Sequence, residues 1–220
     1  MHKWVFVFDW DFTLAPSSWN FVRKKYYPFS NIMQKYEDWK SGKLSLKAWI
    51  EEDVQAFFQA GYCEAELAEF SGYRPFPGAE ALVGKVKAEG FLTATASLGF
   101  SPLVEMRARE LGIDEIFLTR FEGGADGVEV TSLIDPEAKA GIVADYQKKG
   151  FRVVFVGDGD SDIPAFKAAD VAVLIPGGRF DYELEDAKKV CDFEFKDLQA
   201  FADGFENFMK QLEGGLPAPE

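Results

Sequence analysis

Hydrophobic positions along this chain follow two rhythms. One is the short continuous run, seen first in Val5-Phe6-Val7-Phe8. Such a run, bounded by polar residues, reads as a strand buried on both faces. Similar strands are expected at 91–97, 115–119, 152–156 and 171–175. The other rhythm is a spacing of three and four, clearest at 45–60, where Leu46, Trp49, Ile50, Val54 and Phe57 share one helical face. Helices are also expected at 79–89, 101–111, 136–149 and 163–169, with glycine stops at Gly90, Gly112 and Gly150. Further helical signals cover 182–188 and 195–212, and residues 214–220 should fray. Asp126-Gly127 before Val128-Glu129-Val130 is a hairpin signal. Residues 15–76 differ, with aromatic-rich helical patterns, no strand, and a closing breaker at Pro75-Phe76-Pro77-Gly78.

Strands alternating with helices predict an α/β fold, a doubly wound parallel sheet with helices on both faces. The core would be Rossmann-like, built from residues 1–14 and 77–220, with residues 15–76 inserted as a helical cap. Ligands of such sheets bind beyond the carboxyl ends of the strands. That rule gathers Asp9, Asp11, Ser97, Asp158, Asp160 and Asp162 on one rim. So many carboxylates are costly without a cationic partner. Oxygen-only ligands favour Mg²⁺, which is commonly held by one or two carboxylates plus substrate phosphate. Backbone N–H groups at Leu98-Gly99 could meet an anion, and Lys139, early in its helix, offers the point charge a phosphate wants. Asp160 reads as an exposed turn acid, Arg23-Lys24-Lys25 as a solvated helix face, and the cap aromatics as core.

Composition narrows the function class. With 47% hydrophobic residues the chain can build a core, so global disorder is not expected. A net charge of −13 argues against non-specific nucleic-acid or anionic-membrane binding. His2, at the terminus, is the only histidine, which disfavours Ser-His-Asp chemistry. Cys63 and Cys191 form no metal or disulfide pattern. Without a signal-peptide pattern or an apolar run long enough for a membrane span, a cytoplasmic protein is expected. Oligomeric state is left open.

Asp9-x-Asp11-x-Thr13, then Ser97 after a strand, then Lys139, then Gly157-Asp158-Gly159-Asp160-Ser161-Asp162 resemble, in order and approximate spacing, the four motifs of the haloacid dehalogenase superfamily. Ser97-Leu98-Gly99-Phe100-Ser101-Pro102 and residues 157–170 are similar to its phosphoserine-phosphatase-like branch, and the insertion to its small helical cap. Residues 171–175 and Cys191-Asp192-Phe193 look closer to relatives acting on phosphorylated methionine-salvage intermediates. The resemblance implies a Mg²⁺-dependent phosphatase of a small phosphorylated metabolite. Asp9 would be the nucleophile that forms an aspartyl-phosphate, and Asp11 the general acid and base. Ser97, the Leu98 N–H and Lys139 would bind the phosphoryl group. Asp9, the Asp11 carbonyl, Asp158 and Asp162 would hold the metal.

Departures from the resemblance bear on the substrate. Phe12 stands where the family commonly has glycine or another small residue. Ala15-Pro16-Ser17-Ser18 lacks the acid that binds a serine amino group, and Glu51-Glu52-Asp53 lies near where a carboxylate-binding arginine belongs. These count against phosphoserine. An acidic, aromatic cap suggests a cationic head group such as phosphocholine or phosphoethanolamine. Two other functions share the motifs: a phosphotransferase acting on an acceptor alcohol, and a non-catalytic phospho-ligand binding protein.

Overall fold

In the computed structural model the described residues are 3–177 and 184–214. Strand β1 (Lys3–Phe8) lies at the centre of a six-stranded sheet ordered β3-β2-β1-β6-β7-β8. Its neighbours are β2 (Leu92–Ser97) and β6 (Phe151–Gly157), both parallel to it, with Val7 opposite Ala94 and Phe155. Beyond them lie β3 (Glu115–Leu118) on one side and β7 (Val171–Leu174) and β8 (Phe193–Glu194) on the other, again parallel. The predicted core strands are all present. The two-residue edge strand β8 was not expected, because it carries no apolar run. It is held by the strand ladder and by the Asp192 carboxylate, which accepts from the Ala172 N–H at 2.7 Å.

The apolar run of β1 feeds two separate cores, as period-two alternation requires. Trp4, Phe6 and Phe8 belong to one buried cluster, Val5 and Val7 to the other. On the first face Phe6 meets Phe8, Phe91, Phe205 and Phe208 at centroid distances of 5.9–6.3 Å. Helices α4 (Ala79–Ala88), α5 (Ser101–Glu110) and α9 (Leu198–Glu213) contribute to it. On the second face lie α6 (Pro136–Lys148) and α7 (Ile163–Ala168), through Val143, Tyr146, Ala165 and Phe166. Full burial of each such ring contributes about 1.5–3 kcal/mol. The expected helix at 182–188 begins outside the described residues; its described part is α8 (Glu185–Lys188). Of the terminal stretch 214–220, only Gly214 is described.

Between β1 and α4 come α1 (Ser18–Tyr26), α2 (Ile32–Lys40), α3 (Leu46–Gln59) and a 3₁₀ segment, Glu64–Gly72. Ser17, Asn31 and Ser45 cap the three α-helices through their side chains. This helical segment shares the first core, because Phe100 at the start of α5 packs against Trp19, Phe57 and Tyr62. The hairpin of β4 (Arg120–Gly124) and β5 (Gly127–Ser132) turns at Ala125-Asp126, one residue before the expected Asp126-Gly127, and leans on α3. There the Val130 N–H donates to Glu51, and Gln55 and Gln59 donate to the Ala125 carbonyl. By contrast α2 has no buried residue.

Candidate active site

Beyond the carboxyl ends of β1, β2 and β6 the chain forms a cavity of about 290 Å³. Asp9 follows β1 directly, its N–H still donating to the Val156 carbonyl at 2.9 Å. The backbone then wraps around one acceptor: the N–H groups of Thr13, Leu14 and Ala15 all reach the Trp10 carbonyl, at 2.9–3.2 Å. Buried Trp10 fastens this loop from behind. Its indole donates to the Tyr73 hydroxyl at 2.8 Å, which donates to the Pro16 carbonyl at 2.7 Å. Within the loop Phe12 adopts φ 66°, among the described residues the one non-glycine residue with positive φ.

The loop sends its two acids into different surroundings. Asp9 is 4% exposed and pairs with the Lys139 ammonium at 3.0 Å. Lys139, 2% exposed, also donates to Asp162 at 2.7 Å. Burial raises the Asp9 pKa, Lys139 opposes that rise, and Asp162 adds to it. Burial works against the charge of Lys139, but Asp162 and Asp9 outweigh it and its pKa is raised. Asp158 completes the group: one carboxylate oxygen from each of Asp9, Asp158 and Asp162 falls within 4.8 Å of the others. Asp162 is anchored further by the N–H groups of Asp158 and Gly159, at 2.9 and 3.4 Å. A Cβ at position 157 would lie 2.4 Å from an Asp162 oxygen, so glycine there lets this acid approach.

Asp11 turns the other way. Its carboxylate accepts from the Ser18 N–H at 2.9 Å and the Ser18 hydroxyl at 3.0 Å, at the start of α1. Burial lifts its pKa to about 7, against the lowering effect of these two donors. Ser18 Oγ also accepts from the Phe100 N–H at 2.8 Å, so it ties the segment entering α5 to Asp11. Gly99 leaves room for this junction, since a Cβ there would lie 2.9 Å from Ser18 Oγ and 3.2 Å from Asp11 Oδ1. Ser97 is 1% exposed and accepts from the Gly99 N–H at 3.0 Å; Leu98 lines the cavity, its carbonyl accepting from the Trp19 indole.

Asp9, Asp11, Ser97, Leu98, Lys139 and Asp158 all line the cavity, with Asp162 behind Lys139. The Asp11 side chain lies outside the acidic triad. Ser18 was not singled out from the sequence as a functional residue. Its only signal was its place beside an N-cap, and the contact with Asp11 depends on the loop's path.

The helical segment forms the other wall, and here three expectations change. Arg23 is not on a solvated helix face. It is 8% exposed, and its guanidinium donates to Asp53 through Nε at 3.1 Å and through Nη2. It also donates to Asn20 at 3.3 Å and lies over the Trp19 and Trp49 rings at 5.5 and 5.9 Å. Nor is the acidity of the wall free to meet a ligand. Asp53, 1% exposed, also accepts from the Trp49 indole at 3.0 Å and from Lys35 at 2.9 Å. Trp39 and Trp49 border the cavity instead of lying in the core.

A buried, all-oxygen triad lies beside a buried lysine and a second acid of raised pKa, an arrangement suited to handling a phosphoryl group. The sequence matches the haloacid dehalogenase-like hydrolases over residues 5–170, and the chain belongs to that family. Among solved structures it is similar to a phospho-aspartyl intermediate analogue of phosphoserine phosphatase, with TM-score 0.69, 22% identity, and coverage of 92% of this chain and 99% of that one. A substrate-bound phosphoserine phosphatase complex superposes with TM-score 0.70 at 20% identity, covering 94% and 99% of the two chains. The enzyme from T. onnurineus does so with TM-score 0.66 at 23% identity, covering 94% and 96%. Among curated sequences, the potassium-transporting ATPase ATP-binding subunit of Clostridium perfringens is 36% identical over 153 residues, 63% of this chain and 21% of that protein. A manganese-exporting P-type ATPase of Mycobacterium leprae is 33% identical over 112 residues, 50% of this chain and 14% of that protein. The chain thus spans about a fifth or less of the length of these curated relatives. No helix among the described residues is long and apolar enough to cross a membrane.

Proposed function

We propose that this protein is a Mg²⁺-dependent phosphomonoester hydrolase that works through an aspartyl-phosphate. The observation that carries this reading is the separation of its two acids. Asp9 faces a cation and two further acids, while Asp11, two residues on, is held apart by Ser18 with its pKa lifted to about 7. A binding protein has no use for such a proton donor.

The donor set fits a hard divalent cation, because all three ligands are carboxylate oxygens and their charge exceeds that of Lys139. Asp9, Asp158 and the Asp11 carbonyl would hold Mg²⁺, with Asp162 directly or through water. The ion supplies positive charge for the anionic substrate. Lys139 and Ser97 hold the phosphoryl oxygens, and one oxygen of Asp9 attacks phosphorus. As the ester P–O bond breaks, protonated Asp11 gives its proton to the departing alkoxide, which leaves as the alcohol. Asp11, now ionised, takes a proton from water, whose oxygen displaces Asp9 from phosphorus and releases inorganic phosphate. Positioning and charge stabilisation account for most of such catalysis. Two free cysteines, Cys63 exposed and Cys191 half-buried, suit a cytoplasmic setting.

A direct test is hydrolysis of an aryl phosphate with Mg²⁺ and with EDTA, followed by acid quench to trap the acyl-phosphate. Turnover in Mg²⁺ with a trapped adduct on Asp9 is expected. No turnover with any phosphomonoester would overturn the reading.

A further inference from the structure

We infer that the alcohol released by this enzyme is uncharged and apolar, a ring-bearing group, and that its binding wall is the helical face of the cavity. This rests on the phosphatase reading for the position of the phosphoryl group, and on the insertion itself for the rest. The wall is built from Phe12, Trp19, Trp39, Leu46, Trp49 and Ile50. The polar groups of Trp19, Trp49, Asp53 and Arg23 are engaged. The Trp19 and Trp49 indole N–H groups donate to Leu98 and Asp53. Both Asp53 oxygens accept, one from Lys35 and the other from Arg23 and Trp49. Three guanidinium nitrogens of Arg23 are directed at Asp53 and Asn20.

Each charged alternative meets a specific obstacle. A quaternary or primary ammonium needs an open aromatic face or a free carboxylate. One face of Trp19 and one of Trp49 already carry Arg23, whose charge disfavours a second cation in the same small cavity, and Asp53 is shared by two cations. An amino-acid head group needs a carboxylate-binding cation and an amine-binding acid, and here those two groups are paired together. Opening that pair would leave a buried charge, a cost of several kcal/mol. An apolar ring disturbs none of these contacts and removes indole and leucine surface from water. The cavity, about 290 Å³, sits at the small end of ligand pockets, which suits one ring beside a phosphoryl group.

The test uses alkyl esters, so that leaving-group chemistry is similar: benzyl phosphate, phosphoserine, phosphocholine and glycerol 2-phosphate. The whole protein with Mg²⁺ should show kcat/KM for benzyl phosphate at least about tenfold above the other three, the scale on which an apolar pocket discriminates. Trp39 lies on α2, which has no buried residue, so Trp39→Ala should fold. It should raise KM for benzyl phosphate about tenfold with kcat little changed, and Trp39→Phe should restore most of the loss. A preference for phosphoserine or phosphocholine, or equal rates on all four, would overturn the inference. Calorimetry with benzylphosphonate and 2-aminoethylphosphonate separates this from failure of the phosphatase reading. If no ester is cleaved, selective binding of benzylphosphonate keeps the wall as a site for an apolar ring and rejects the enzyme. Equal binding, or a preference for the amine, rejects the inference.

Discussion

Two clusters of buried charge border one cavity, and they differ in balance. At the rim one ammonium, Lys139, is shared by Asp9 and Asp162, with Asp158 beside them. In the helical wall one carboxylate, Asp53, is shared by Arg23 and Lys35, and Lys35 also meets Glu52 at 2.9 Å. Acid exceeds base in the first cluster; in the second the buried acid Asp53 is met by two bases, and exposed Glu52 offsets the charge of Lys35. Buried charge left in excess is unstable unless a further ion joins it, and that is how a metal site differs from a structural ion pair. On the proposed reading the rim cluster takes part in chemistry, whereas the wall cluster holds a shape.

The sharpest way to break this comparison is at Asp9. Asp9→Asn should lower turnover by ~10⁴–10⁶-fold, as loss of a nucleophile does, while the circular dichroism spectrum stays that of the folded protein. Retained activity would remove Asp9 from the covalent step. Next comes Asp53→Ala in the wall. It leaves Arg23 buried without its main partner and should cost ~3–5 kcal/mol in denaturant unfolding. If the cluster is only structural, Arg23→Met with Asp53→Leu should recover most of that loss, because apolar replacement of a buried ion pair is often neutral. No such replacement should rescue the rim.

A third test separates the clusters by their response to metal. Mg²⁺ at 100 times its Kd should stabilise the protein by about 2.7 kcal/mol. In a chain of this size that corresponds to a rise in Tm of roughly 5–10 °C. Asp158→Asn should abolish the shift, while Asp53→Ala should lower Tm and leave the shift in place. A Mg²⁺ shift that survived Asp158→Asn would place the ion elsewhere.

The rim was far more legible in the sequence than the wall, for a physical reason. Asp9 and Asp158 follow a strand and Ser97 ends one, so the topology of a parallel sheet brings them together from distant segments. Strand ends are visible as the last residue of an apolar run. The wall depends on how α1, α2 and α3 pack, and helical periodicity gives each face without saying which face meets which. Arg23 therefore read as solvated within a basic run, although Asp53, thirty residues on, buries it. Ser18 was missed because its role needs the α1 start, the α5 start and Asp11 at one point. Strand β8 was missed because two residues make no pattern.

Phe12 stands at the seam between these regions and gives the smallest effect. Its departure from the family pattern was visible in the sequence, but its backbone was not. At φ 66° a Cβ-bearing residue carries strain of order 1–3 kcal/mol, and glycine carries none. Phe12→Gly removes that strain, but gives up the packing of a half-buried ring and adds backbone entropy to the unfolded chain, ~0.5–1 kcal/mol. The opposing effects should leave Phe12→Gly within about 1 kcal/mol of the parent, on the stable side. Phe12→Ala keeps the strained Cβ and loses the ring, so it should be the least stable of the three. The decisive measurement is the order of melting temperatures, expected as glycine, phenylalanine, alanine from highest to lowest. If alanine equals or exceeds glycine, the loop around the Trp10 carbonyl is not strained at Phe12, and this residue is kept for its ring alone.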